Sequence, residues 1–242
     1  MEGNWTAVPD ESRRGGRLRL DPRLSMIAGL VGRCESYADI GCDHGRLGAF
    51  LLKNGFVRRA QLTDISGASL KKARRLVGLL GLTDRVDFRV GDGAKALIDP
   101  PDVTVIAGMG GTLIAKIVRE GRDHLGGSKL VLQPNVAAPE LRLALTECGY
   151  RIHDERVAKD GRRNYVIIAA EPGRAEYTEK QLIVGPVLLE KLPSELEPYA
   201  AFRLRVAKKA LTGAVRGGDE GQVAALEHEI DIWEEVMACL SR

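Results

Sequence analysis

An α/β fold, built on one doubly wound and mostly parallel sheet and followed by a C-terminal antiparallel helical hairpin, is predicted from three features. Short apolar runs near residues 36–40, 61–64, 85–90, 103–107 and 129–133 alternate with segments of helical spacing, the pattern of repeated βα units. The first run opens into a glycine-punctuated turn, Gly41-Cys-Asp-His-Gly45, and sheets of this kind bind ligands outside the carboxyl ends of their strands. Beyond Pro172-Gly173 the strand-like runs stop and helical periodicity continues to the end.

Composition narrows the class. The 242 residues are 44% hydrophobic and 5% aromatic, the profile of an ordinary globular chain with one α/β unit and an appendage. No apolar run reaches the length of about eighteen residues that a membrane span needs. Residues 1–16 are polar and arginine-containing without an apolar core, so no secretory signal is read there. Cys34, Cys42, Cys148 and Cys239 are scattered with no C-x-x-C pair, which predicts neither a zinc site nor disulfides and fits a reducing cytoplasm. The net charge of +3 permits a nucleic-acid partner without demanding one. Three parts are expected: a flexible extension over 1–19, a ligand-binding domain over 20–172 and a helical hairpin over 173–242, in a monomer.

The elements follow in order. Asp21-Pro22 opens a helix to about Val31, with Asp at the N-cap and Pro at N1. The first strand covers 36–40 and the second 61–64; Ser66 then caps a helix that runs to about Leu80 and stops at Gly81. Residues 85–90 alternate as a third strand into Gly91-Asp92-Gly93. The apolar run 103–107 reads as a buried parallel strand, leading into Gly108-Met-Gly-Gly111 and a helix from Thr112 to about Arg119. A fifth strand over 129–133 precedes Pro134-Asn135 and a helix over 139–148. Strands over 150–157 and 164–170 join antiparallel around Lys159-Asp160-Gly161, a turn signal. From Glu176 the chain is helical, with breaks at Pro193 and at Gly217-Gly-Asp-Glu-Gly221.

The last helix spaces Val223, Leu226, Ile230, Trp233, Met237 and Leu240 by alternating threes and fours, a coiled-coil seam. Leu204, Ala207, Leu211 and Ala214 offer the partner face. Arg203, Arg205, Lys208 and Lys209 on that first helix have two readings: they pair with the acidic second helix, or they meet nucleic-acid phosphates.

The turns carry the chemistry. A dinucleotide site places bare glycine backbone against a pyrophosphate, whereas Asp39 and Asp43 beside Gly41 and Gly45 would repel one. They suit a ligand with an ammonium group and no phosphate, such as S-adenosylmethionine. Asp64 ends the second strand, where a carboxylate accepts from ribose hydroxyls, a feature shared with NAD sites. Asp92 between two glycines suits an adenine amino group. Each aspartate alone reads equally well as a turn residue; three after three successive strands form a pattern. The Asn/Asp-Pro-Pro-aromatic box of enzymes that methylate exocyclic amines is absent after the fourth strand.

Asp39-Ile-Gly-Cys-Asp-His-Gly45, Ala107-Gly-Met-Gly-Gly111 with Ile114, Leu130-Val-Leu-Gln-Pro-Asn135 with Arg142, and Asp160-Gly-Arg-Arg-Asn-Tyr165 resemble, in that order, the bacterial TrmK family. The likeness runs from about Leu20 onward, with Cys42 where a hydroxyl residue is more usual and no proline after Gly67. It implies a class I, Rossmann-like S-adenosylmethionine-dependent methyltransferase with a C-terminal helical hairpin, acting on N1 of the adenine at position twenty-two of tRNA. Taken with the likeness, Asp39, Gly41, Gly45, Asp64, Asp92, Gly93, Gly108 and Met109 are the expected cofactor contacts. Asp43, His44, Gln133 and Asn135 are the expected catalytic base pocket. His44 and Asn135 have an alternative each as caps of the helices that follow them. Arg23 matches a basic position of the family and is expected to reach the cofactor carboxylate, the tRNA or solvent. Two rivals stand beside this reading. An NAD-dependent oxidoreductase on a related fold would change the ligand, which the acidic turn disfavours; a non-catalytic tRNA-binding protein would hold RNA and transfer nothing.

Overall fold

Seven runs rich in Val, Ile, Leu and Ala lie side by side as β1 (Cys34–Ile40), β2 (Val57–Asp64), β3 (Val86–Val90), β4 (Val103–Met109), β5 (Lys129–Pro134), β6 (Tyr150–Asp160) and β7 (Arg163–Pro172). The computed structural model describes residues 18–161 and 163–241, so the extension expected over 1–19 lies almost wholly outside the described residues. The sheet order is β3-β2-β1-β4-β5-β7-β6. Strands β1 to β5 are parallel, β7 is antiparallel to β5, and β6 is antiparallel to β7. This is the doubly wound sheet with a closing hairpin that the sequence predicts. Strand order reverses between β1 and β4, which opens a crevice beyond their carboxyl ends.

The helices are α1 (Pro22–Val31), α2 (Arg46–Lys53), α3 (Gly67–Leu79), α4 (Gly111–Glu120), α5 (Arg122–Leu125), α6 (Ala138–Glu147), α7 (Glu179–Val184), α8 (Pro186–Lys191), α9 (Leu196–Gly217) and α10 (Glu220–Leu240). Two caps act as read: Asp21 accepts from the Leu24 N–H at 2.7 Å and Ser66 Oγ from the Ser69 N–H at 3.2 Å. Elsewhere the elements run longer than expected. β2 starts at Val57 because exposed Arg58 and Arg59 conceal a strand end whose Val57 and Ala60 are buried. Helix α5 spans a single turn, too short for periodicity to reveal, and Gly185 breaks the helical segment between α7 and α8.

An apolar layer covers each face of the sheet. On one, Tyr37, Leu62, Val105 and Ile167 pack with Ile27, Leu51 and Val77 of the helices before β4. On the other, Ile40, Ile106, Leu132 and Ile168 meet Ile114 and Leu141, and the layer continues into Leu188, Leu196, Tyr199, Ile232 and Trp233. Trp233 is fully buried, edge-on to Tyr199 at a centroid distance of 5.8 Å. Helices α9 and α10 pack against each other with Ala207, Ala214 and Ile230 buried between them.

A buried ion pair ties this helical segment to the sheet. Arg142 on α6 meets Glu155 on β6 at 2.8 Å with both side chains fully buried. The guanidinium also donates to the carbonyls of Leu182 at 2.7 Å, Ile183 and Val184, and Glu155 accepts from the Val187 N–H at 3.0 Å. A Cβ on Gly185 would collide with Arg142 and Glu155, so only glycine lets the chain pass. Breaking such a pair by removing one partner costs about 3 to 5 kcal/mol.

Candidate active site

The turn after β1 is shaped by close approach. Gly41 has φ +76° and any Cβ there would overlap the terminal methyl of Met109. Asp43 is left-handed at φ +49°, a conformation that aspartate tolerates better than most residues. Its N–H donates to Asp64 Oδ2 at 3.0 Å, while Asp64 Oδ1 accepts from the Ser66 N–H at 2.8 Å. One carboxylate therefore fixes the turns after both β1 and β2, and each of its oxygens retains a second lone pair. Gly45 does not line the cavity; it starts α2 beneath Ala73, whose Cβ would lie 2.9 Å from any Cβ on Gly45. No side chain caps α2, so His44 is not a cap. It stands 3.4 Å from the Asp43 carboxylate instead, at the cavity wall.

These turns enclose a cavity of about 540 Å³ at the β1/β4 crevice, within the usual range for small-molecule sites. Asp39, Asp43, Asp64 and Asp92 line it, together with Gly41, Gly93, Gly108 and Met109. Asp39 is 6% exposed. Burial pushes its carboxyl from 3.8 up to about 7, assisted by Asp64 and opposed by Tyr37 and Arg23. Burial also drives the Cys42 thiol far above its ordinary value, with Asp39, Asp64 and Asp43 adding to the effect, so Cys42 stays neutral and is no nucleophile. A cavity with four carboxylates against the guanidinium groups of Arg23 and Arg46 fits the ammonium, carboxylate and ribose groups of S-adenosylmethionine better than a phosphate.

Of the two, Arg23 begins a chain of amides. Arg23 Nη1 donates to Gln133 Oε1 at 2.7 Å, Gln133 Nε2 to Asn135 Oδ1 at 3.1 Å, and Asn135 Nδ2 to the Gly108 carbonyl at 2.8 Å. Arginine only donates, so Gln133 must turn its oxygen to Arg23; its amide nitrogen then faces Asn135, whose own nitrogen faces Gly108. Gly108 itself is a bulge in β4 at φ +80°, which aims its carbonyl at this chain. Two expectations need correction here. Neither Gln133, which is fully buried, nor Asn135, which is exposed, is on the cavity wall; Gln133 orients Asn135, which stands beside the cavity through its bond to Gly108. Asn135 caps nothing, because the N-cap position of α6 is Ala137 and no side chain caps the helix. Arg23 is not a solvent residue; it is half-buried and lies 5.6 Å from the Tyr165 ring centroid.

None of the hairpin candidates lines this cavity. Arg203 is held by Glu229 at 2.8 Å and lies over Trp233, so it faces the seam. Lys208 pairs with Glu234 at 2.7 Å. Arg205 and Lys209 remain exposed. The pairing reading therefore holds for two of the four residues. Sequence reasoning missed Ile65, Leu113 and Arg46, which also line the cavity. Ile65 is 75% exposed directly after Asp64, and an apolar residue in a turn behind a ligand-binding carboxylate was the available signal. Among the described residues no cluster of His, Cys, Asp and Glu could hold a metal ion.

Comparison with known proteins decides the family. The family described as tRNA (adenine(22)-N(1))-methyltransferase, TrmK, matches residues 37–235. The chain belongs to the TrmK family. A TrmK relative from Bacillus subtilis, named tRNA (adenine(22)-N(1))-methyltransferase, is 32% identical over 211 residues, covering 81% of this chain and 89% of the relative. The crystal structure of the B. subtilis m1A22 tRNA methyltransferase TrmK superposes with a TM-score of 0.82 at 27% identity, covering 91% of this chain and all of the other. A Streptococcus pneumoniae protein crystallised in complex with S-adenosyl-L-methionine gives 0.82 at 26% identity, over 90% of this chain and 100% of its own.

Proposed function

We propose that this chain transfers the methyl group of S-adenosylmethionine to N1 of adenine 22 in tRNA. Membership of a family of that name supports the reaction, and the acidic cavity facing Arg23 supports the cofactor. The cofactor supplies an electrophilic methyl on a sulfonium. Asp39 receives the ammonium and Arg23 the carboxylate, Asp64 accepts from the ribose hydroxyls with its free lone pairs, and Asp92 takes the adenine amino group. Met109 and the Gly108 bulge flank the transferable methyl.

The target nitrogen carries an in-plane lone pair in neutral adenine, so no group has to remove a proton before attack. Positioning supplies most of the rate, helped by acceptors placed where positive charge develops on the base. The Gly108 carbonyl, the Asn135 amide oxygen and the Asp43 carboxylate, with His44 beside it, are those acceptors. The Watson–Crick edge has to leave its stack to reach them, at a cost of a few kcal/mol. Among the described residues no helix is long and apolar enough to cross a membrane, and a tRNA substrate supports a cytoplasmic location. Burial of Trp233 within its own chain supports a monomer. Nucleoside mass spectrometry of tRNA from cells with and without the gene tests the reading: the 1-methyladenosine signal at position 22 is expected to vanish, and an unchanged profile refutes it.

A further inference from the structure

Beyond Leu132↔Ile168, the last register position shared by β5 and β7, β6 and β7 stay paired on their own through Ala158↔Tyr165 and Lys159↔Asn164 to Asp160↔Arg163. Counting along β7 from Ile168, Tyr165 stands level with Asn135 and Arg163 two residues further out, roughly 7 Å at about 3.4 Å per residue. Pro134 has no amide hydrogen with which to prolong the ladder. The pair therefore leaves the sheet as a two-stranded arm beside the cavity. Its root is anchored, because Arg23 meets the Tyr165 ring while donating to Gln133 and lining the cavity. Its outer part exposes Lys159 and Arg163, with half-buried Asp160 between them.

We propose that this arm grips the tRNA phosphates that flank the nucleotide presented to the cavity, a surface that rests on the tRNA reading above. The opposite rim carries Asp43, Asp64 and Asp92 with Arg46 and His44 among them; its carboxylates outnumber its one arginine, which disfavours an RNA backbone there and favours the β7 side as the path of approach. A paired ribbon holds its side chains at fixed spacing, with Lys159 as a point charge and Arg163 as a bidentate donor to phosphate. The helical hairpin is less suited to this contact, since Arg203 and Lys208 are engaged by Glu229 and Glu234 and exposed Arg205 and Lys209 do not line the cavity.

The test uses full-length K159A/R163A beside wild type and the charge-conserving K159R/R163K. Binding of unmodified tRNA is followed across a salt series, and S-adenosylmethionine binding by calorimetry. For K159A/R163A, tRNA affinity is expected to fall about tenfold at physiological salt, and the slope of log affinity against log salt to shrink by about 1.8, from about 0.9 per phosphate contact. Cofactor affinity stays at the wild-type value, and K159R/R163K keeps the wild-type slope. An unchanged tRNA affinity and slope in an active enzyme overturns the arm alone. A parallel loss of cofactor affinity also overturns it, because the effect would then run through Arg23. Wild-type protein that binds cofactor but neither binds nor methylates tRNA overturns the arm and the tRNA reading together.

Discussion

The two rims of the cavity are made by different means. At the ends of β1 to β3 the rim is backbone: tight turns locked by Gly41, by the left-handed Asp43 and by the two N–H groups that Asp64 accepts, with carboxylates at the surface. At the ends of β4 and β5 it is a side-chain chain from Arg23 through Gln133 and Asn135 to Gly108, with cations outside it. Turn geometry is local and hard to alter without losing the fold, so it suits a ligand of fixed shape. An amide chain is set by distant partners, so it can select one face of a base. The difference assigns the cofactor to the first rim and, Asp43 and His44 apart, the target to the second.

The largest effect expected is at Asp39. Asp39→Ala should weaken S-adenosylmethionine binding at least a hundredfold by calorimetry, and near-wild-type binding would break the assignment of the acidic rim. Asp39→Asn should lose affinity too, yet raise stability. A carboxyl whose folded value is about 7 against 3.8 ordinarily carries a penalty that is fully present above pH 7 and gone below about pH 4. Removing it should therefore stabilise by up to about 4 kcal/mol at pH 8, at about 1.4 kcal/mol per unit, and by much less at pH 5. Thermal melts at the two pH values check the sign.

Next in size is the amide chain. Gln133→Glu keeps an acceptor for Arg23 but removes the donor to Asn135, so Asn135 has to turn over. We expect kcat to fall about ten- to a hundredfold, the range of a lost transition-state acceptor being on the order of a hundredfold or more, with cofactor affinity within twofold. Equal losses in both would merge the two rims into one. A smaller effect comes from acidity: cofactor affinity should weaken as pH falls from 8 to 6 and Asp39 takes up its proton, approaching tenfold per pH unit below 7. Asp39→Asn should flatten that profile. The smallest is Lys208→Ala, which breaks an exposed pair with Glu234 and should cost under about 1 kcal/mol of stability while leaving both rims intact.

The acidic rim was legible in the sequence and the amide rim only partly so. Asp39, Asp64 and Asp92 each close an apolar run, and glycines beside them mark turns whatever the tertiary packing. Gly45 looked the same, but contact with Ala73 from another helix decided its role. Gln133 and Asn135 stood out by residue type, while their division of labour depends on Arg23, 110 positions away from Gln133. Tyr165 reaches Arg23 only because β7 turns back beside β5, a register that periodicity does not encode. Arg203 read as a surface cation from its charge alone, although its neighbours one turn away, Tyr199, Ala200, Val206 and Ala207, are all apolar; Trp233 on the opposite helix draws it inward.

The apolar layer that runs from Ile106 to Trp233 has a practical corollary. There is nowhere near Gly173 to cut this protein into a catalytic half and a tail half, because each fragment would keep a raw hydrophobic wound where the other had been. A chain ending before α7 should emerge from the ribosome as an aggregate. Trimming or lengthening is safe only at the far tip, around Gly217 and Gly218, where the two long helices have left the sheet behind.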